Sequence, residues 1–161
     1  MNLTSKPVLS PLEIIATELA KHDNVDLTTP EGKEALACAM YLLPQCEDVV
    51  YHFFSPGIYI RECHLPGGAL VVGEDHTTEH LTTLLSGEAN LFKDDGTIQY
   101  IKGPHMFVAG KGRKLAFMLT DCVWQNTFAT TETDIPTLER TLVNPSKSKA
   151  EYFSKQKELT Q

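Results

Sequence analysis

The spacing of apolar residues changes near Val49 and divides the chain into a helical part and a β-rich part. Before that point, Ser10–Glu13 reads Ser-Pro-Leu-Glu, which combines a capping serine, a proline in the first turn and a glutamate at the third helical position. We predict a helix from this start toward His22. A second start, Thr29–Glu31, is followed by apolar residues at helical spacing, and Pro44 ends that helix.

From Val49 onward, short runs rich in Val, Ile, Phe, Tyr and Thr are separated by turn residues about every 8–12 positions. The Asp95–Gly96 pair is a strong hairpin signal. This pattern predicts an all-β sandwich or barrel. The predicted strands are Tyr51–Phe54, Ile58–His64, Ala69–Val72, Leu81–Leu85, Ala89–Lys93, Ile98–Ile101, Met106–Val108, Lys114–Leu119 and Val123–Phe128.

The pattern returns to helix after Thr131, where Asp134 is a candidate cap for a short helix through Leu142. The remaining residues are polar and rich in lysine, and the sequence leaves open whether they form a helix. We therefore divide the chain into a helical N-terminal extension over 1–48, a β-barrel over 49–143 and a polar tail over 144–161.

Composition narrows the function classes only a little. The net charge of -7 argues against a protein that binds duplex nucleic acid, which usually carries a basic surface. No apolar run approaches the roughly 18 residues of a membrane span, and the first residues lack the apolar core of a secretory signal. We expect a protein that is neither secreted nor membrane-bound. The four cysteines are scattered and predict reduced thiols.

The candidate chemistry lies in the segment Gly73–His80. Strand parity places Glu74 and His76 on one face, and a bend at Thr77–Thr78 would bring His80 to the same side. Two imidazoles and a carboxylate suit a divalent transition metal such as iron, manganese, zinc or nickel. His76 and His80 also have helical spacing, but the threonines and glycines around them favour strands.

This segment resembles the first motif of the cupin superfamily, His-x-His, a short gap, Glu, then six residues and Gly. Counted back from Gly87, His80 occupies the glutamate position, His76 the second histidine and Glu74 the first. The second cupin motif would add a histidine, but its position holds Arg113, whose guanidinium cannot ligate a metal at neutral pH. The resemblance implies a single double-stranded β-helix (jelly-roll) barrel, mainly β, with N-terminal helices and a short C-terminal helix.

An ordered set of further segments resembles small cupin-like proteins of tailed bacteriophages. The set comprises His52–Glu62, His76–His80, Ser86–Gly87, Ala109–Lys114, Trp124 and Thr131–Asp134. This resemblance covers most of residues 50–142. It implies the fold and little chemistry, and it suggests a location in the host cytoplasm or the virion.

Three functional hypotheses follow. The favoured one is a non-catalytic barrel that acts as a virion component or binding module, with partners among phage structural proteins. The alternatives are a metal-dependent isomerase, epimerase or oxygenase, and a protein that sequesters a small ligand. Arg113, Arg61 and Tyr59 are the candidate ligand-binding residues, although an ion pair and a core aromatic would also explain Arg61 and Tyr59. We expect a homo-oligomer in each case, because sheet edges favour pairing.

Overall fold

The structure, a computed structural model, describes residues 16–17, 19–21, 25–46 and 49–159. The helix predicted from Ser10 therefore lies mostly outside the described residues. The second predicted helix is confirmed as α1, Pro30–Met40. The hydroxyl of Thr29 caps it by accepting a hydrogen bond from the amide of Gly32, as the Thr-Pro-Glu start predicts.

Nine strands follow α1, and each predicted strand is confirmed to within two residues at either end. They are β1 Val49–Ser55, β2 Ile58–Leu65, β3 Leu70–Val72, β4 His80–Ser86, β5 Glu88–Phe92, β6 Ile98–Lys102, β7 His105–Ala109, β8 Leu115–Met118 and β9 Cys122–Ala129. The predicted hairpin joins β5 to β6, and its Gly96 has a φ of +82°, which a glycine adopts without strain.

The strands form two antiparallel sheets, one of five strands in the order β1-β2-β9-β4-β7 and one of four in the order β3-β8-β5-β6. From β2 to β5, and again from β6 to β9, the chain passes to the other sheet after each strand. This winding is that of a double-stranded β-helix, or cupin, barrel, so the predicted fold class is confirmed.

The hydrophobic core lies between the sheets at the end of the barrel nearest Gly87. The five-stranded sheet contributes Leu84 and Cys122, and the other sheet contributes Ala89, Ile101, Ala116 and Met118. Gly87 allows the close approach, because it has a φ of +94° and a Cβ there would lie 2.3 Å from the carbonyl oxygen of Asp121.

Two helices follow the barrel. Helix α2 spans Ile135–Leu142 and begins as predicted at Asp134, whose carboxylate accepts a hydrogen bond from the amide of Thr137. The polar tail forms helix α3, Lys147–Leu159. Its Tyr152 ring lies 5.1 Å from that of Tyr41, beyond the end of α1. None of the described helices is long and apolar enough to cross a lipid bilayer.

The outer face of the five-stranded sheet carries a row in register across all five strands that is apolar except for one threonine. It consists of Phe53, Ile60, Thr127, Leu81 and Val108. Phe53, Leu81 and Val108 are exposed. Such a row on a sheet is larger than the single apolar residues that ordinary protein surfaces expose.

Leu84 and Leu85 provide a matched test of this packing. Leu84 is fully buried between the sheets, whereas the next residue on β4 faces outward and is 42% exposed. We expect Leu84→Ala to lower the free energy of unfolding by about 2–5 kcal/mol and Leu85→Ala by less than about 1 kcal/mol in urea denaturation. Equal losses would contradict the orientation of β4.

Candidate ligand-binding site

A cavity of about 510 Å³ lies between the two sheets. Its polar end is formed by Arg61, His76, His80, Thr82 and Asn126. Its apolar end is formed by Leu65, Val71, Leu91, Phe107, Met118 and Trp124. Cavities of this size and mixed lining are typical of small-molecule sites in proteins.

The structure brings His76 and His80 together at the polar end. Their ring centroids lie 4.4 Å apart, and both residues are buried. Parity along β4 places His80, Thr82 and Leu84 on the inner face, as the sequence predicts. His76 reaches the site from the β3–β4 loop, where its backbone pairs with Gly112 and the amide of Thr77 donates to the carbonyl of Leu142.

Burial favours the neutral form of both imidazoles. Burial and, to a smaller extent, the neighbouring His80 and Arg61 together lower the pKa of His76 to about 4. Burial also lowers the pKa of His80, although hydrogen bonds to the Thr78 carbonyl and the Asn126 side chain oppose this. Nδ1 of His80 lies 3.1 Å from the Thr78 carbonyl oxygen. Since a carbonyl only accepts, this nitrogen carries the proton and Nε2 presents a lone pair.

The donor set does not fit a three-ligand metal site. The carboxylate of Glu74, the third predicted ligand, forms an ion pair with Lys149 of α3. Among the residues that the structure describes, no three His, Cys, Asp or Glu side chains are grouped closely enough to hold a metal ion. The proposed set Glu74, His76 and His80 therefore stays a prediction that this geometry does not favour.

Arg113 does not face the two histidines. Its buried guanidinium binds the carboxylate of Glu34 on α1, through Nε at 2.9 Å and Nη2 at 2.6 Å, and donates to the Gly73 carbonyl. Lys33, one residue earlier on α1, contacts the Arg113 carbonyl and pairs with Asp94. Arg113 thus fastens α1 to the barrel, and a ligand-binding role for it stays an untested prediction.

Arg61 and Tyr59 lie on β2 but have different surroundings. The phenol of Tyr59 is buried against Phe128 and its hydroxyl lies 2.8 Å from Nδ1 of His52. Arg61 borders the cavity, where Nη1 donates to the thiol of Cys63 at 3.1 Å. Within the described part of the chain, no carboxylate lies within salt-bridge distance of the Arg61 guanidinium. Its charge therefore faces the cavity uncompensated.

No site role was predicted for Asn126, Thr82 or Trp124. Arg61 pairs with Asn126, which pairs with Thr82, so the three form one row across β2, β9 and β4. The hydroxyl of Thr82 donates to Oδ1 of Asn126 at 3.0 Å. Alternation within β9 places Trp124, Asn126 and Phe128 on one face, but only the pairing of distant strands shows that Asn126 meets Arg61.

A second cavity, of about 600 Å³, lies between the barrel and helices α2 and α3. Arg61, Glu74 and His76 border both cavities, so these side chains form the wall between them. The other lining residues include Tyr59, Phe128, Leu138, Arg140 and Lys149.

No protein-family model and no curated protein matches this chain. Solved structures with a similar arrangement of strands include ectoine synthase from P. lautus, with 10% identity and a TM-score of 0.49 over 64% of this chain and 78% of that one. Another is an RmlC-like cupin family protein from Methanocaldococcus jannaschii, with 16% identity and a TM-score of 0.44 over 53% and 82% of the two chains.

A third is the cupin domain of an XRE family transcriptional regulator from Enterobacter cloacae, with 14% identity and a TM-score of 0.41 over 53% of this chain and 98% of that one. All three have TM-scores below 0.5 and fewer than one residue in four in common with this chain. Neither their activities nor their ligands transfer to it.

The burial of His76 predicts a pH dependence of stability. An unfolded chain protonates this residue near its ordinary pKa of 6.5, whereas the folded protein does so at about 4. Between these values the unfolded state binds the extra proton, so stability is full above pH 6.5 and falls as the pH falls toward 4. Between pH 6.5 and 5, the free energy of unfolding measured in urea should fall by about 1–2 kcal/mol more for the wild type than for His76→Gln. Equal losses would contradict the burial of a neutral imidazole.

Proposed function

We propose that this barrel is a binding module that holds a small organic ligand between its two sheets. The observation that carries the proposal is the cavity, about 510 Å³ in volume, with a polar group at one end and an apolar wall at the other. A barrel that served only as a scaffold would gain stability from filling this space, because unfilled volume costs contact energy.

The proposal is a non-catalytic one. The carboxylate of Glu74 is neutralised by Lys149, and Nδ1 of His80 is directed to a backbone carbonyl. General acid–base catalysis needs groups whose protons exchange near the working pH. The pKa of His76, lowered by burial to about 4, leaves this imidazole neutral and weakly basic. These features favour recognition of a ligand over turnover.

A metal-dependent enzyme is the alternative, and the close approach of His76 and His80 is the observation that favours it. We expect elemental analysis of untagged protein, purified without chelators, to find iron, manganese, zinc and nickel well below one ion per chain. His76→Ala and His80→Ala should leave that content unchanged, because two histidines alone hold these metals weakly. Near-stoichiometric metal in the wild type, lost in both variants, would establish the enzyme hypothesis instead.

Trp124 provides a direct test of binding. It is the single tryptophan of the chain and borders the cavity. We expect the anionic dye 8-anilinonaphthalene-1-sulfonate to bind beside it, with energy transfer from the indole to the dye. Ala116→Leu, which fills the apolar end of the cavity, should weaken binding at least about tenfold, or 1.4 kcal/mol.

The control for this experiment is Met106→Ser, which alters the exposed outer face of the sheet, where a dye could also adsorb. The affinity of this variant for the dye should stay within about twofold of the wild-type value, a difference of about 0.4 kcal/mol. Urea denaturation would confirm that both variants fold. If dye affinity is unchanged in Ala116→Leu but lost in Met106→Ser, the dye binds on the outer face, which would contradict the proposal.

The finer functional hypotheses go beyond what the fold supports. A virion component, a phage structural partner and the sequestration of a small ligand such as a host signalling molecule all stay predictions. The homo-oligomer also stays a prediction, and the apolar row of Phe53, Leu81 and Val108 supports it. This row lies on a sheet whose edge strand, β1, contains neither a charged residue nor a proline to discourage pairing.

A further inference from the structure

We propose that the ligand is a small carboxylic acid with an apolar body, bound with its carboxylate at Arg61 and its body against Trp124. This inference depends on the proposed function, because it names what the cavity between the sheets binds. Charge, hydrogen-bonding capacity and the direction of polarity along three strands support it independently.

The charges around the cavity favour an anion. Its two carboxylates are those of Glu74 and Asp94, and each forms an ion pair, with Lys149 and Lys33 respectively. Arg61 has no such partner among the described residues and lies next to the neutral His76 and His80. A guanidinium in this position attracts a carboxylate and repels an amine, and its N–H groups match the two oxygens of a carboxylate.

His76 borders the same end of the cavity and has an unused hydrogen-bonding atom. The residue is 7% exposed, and its buried Nδ1 has no hydrogen-bond partner among the described residues. A buried polar atom without a partner costs free energy, so it indicates a missing group. Nδ1 is closed off from solvent, so a carboxylate at the polar end would accept its hydrogen bond only after the imidazole ring turns toward the cavity.

Polarity decreases in the same direction along three neighbouring strands. On β2 the inner residues change from Arg61 to Cys63 and Leu65, and on β4 from Thr82 to Leu84. On β9, which runs the opposite way, they change from Asn126 to Trp124 and Cys122. Since the antiparallel pairing aligns these positions, the wall formed by β2, β9 and β4 is polar at one end and apolar at the other. His105 of β7 and Gln99 of β6 also border the cavity.

The facing sheet extends the apolar end. Val71, Leu91, Ala116 and Met118 line it from β3, β5 and β8. A ligand that places a charged group at Arg61 must therefore bury the rest of its atoms among hydrocarbon and aromatic side chains. Burial of apolar surface contributes roughly 25 cal/mol per Å², so a hydrocarbon body gains affinity there and a polyhydroxylated one loses it.

The test is a competition between three ligands of equal chain length, octanoate, octanamide and octylammonium. Each is added to wild-type protein carrying 8-anilinonaphthalene-1-sulfonate, and energy transfer from Trp124 reports displacement. We expect octanoate to displace the dye at concentrations at least about tenfold lower than octanamide, with octylammonium weakest. In Arg61→Met, the concentrations of octanoate and octanamide that displace the dye should lie within about twofold of each other.

Arg140→Met is the matched control. Arg140 borders the second cavity and not the one between the sheets, so this variant should keep the preference for octanoate. Loss of the preference in Arg140→Met but not in Arg61→Met would overturn the proposed position. Equal displacement by octanoate and octanamide in the wild type, or no displacement by octanoate, would overturn the carboxylic acid while dye binding still supports the cavity. Absence of dye binding would reject both proposals.

Discussion

The antiparallel register of β2 with β9, and of β9 with β4, fixes the character of the barrel interior. Through it Arg61 lies beside Asn126, and Asn126 lies beside Thr82. Side chains alternate between the faces of a strand, so a slip of one residue would turn this polar row outward and bring the apolar row of Phe53, Ile60 and Leu81 inward. The same register that buries Leu84 therefore positions the only guanidinium seen to border both cavities in the described chain.

The N-terminal helix and the tail act on this site from outside the barrel. On α1, Lys33 forms an ion pair with Asp94 and Glu34 forms one with Arg113. Lys149 of α3 neutralises Glu74 at the wall between the two cavities. With these acidic groups paired, Arg61 and Lys114 contribute positive charge to the cavity lining. Helices outside the barrel thus determine which charges in the cavity lining remain available to a ligand.

Local signals explain how much could be predicted from the sequence. Turn residues and two-residue alternation determined all nine strands, and parity around the Thr77–Thr78 bend was enough to bring His76 and His80 to one side. The partner of Arg113 could not be predicted, because Glu34 lies 79 residues away on a helix whose docking no local pattern encodes. The row of Arg61, Asn126 and Thr82 was missed for the same reason, since it depends on pairing between distant strands.

A crystal structure of the protein grown with octanoate tests the central claim most directly. We expect density between the two sheets, with the carboxylate within hydrogen-bonding distance of the Arg61 guanidinium and the alkyl chain against Trp124. Density in the reverse orientation, in the cavity beneath α2 and α3, or with a metal ion bridging His76 and His80 to the carboxylate would contradict it.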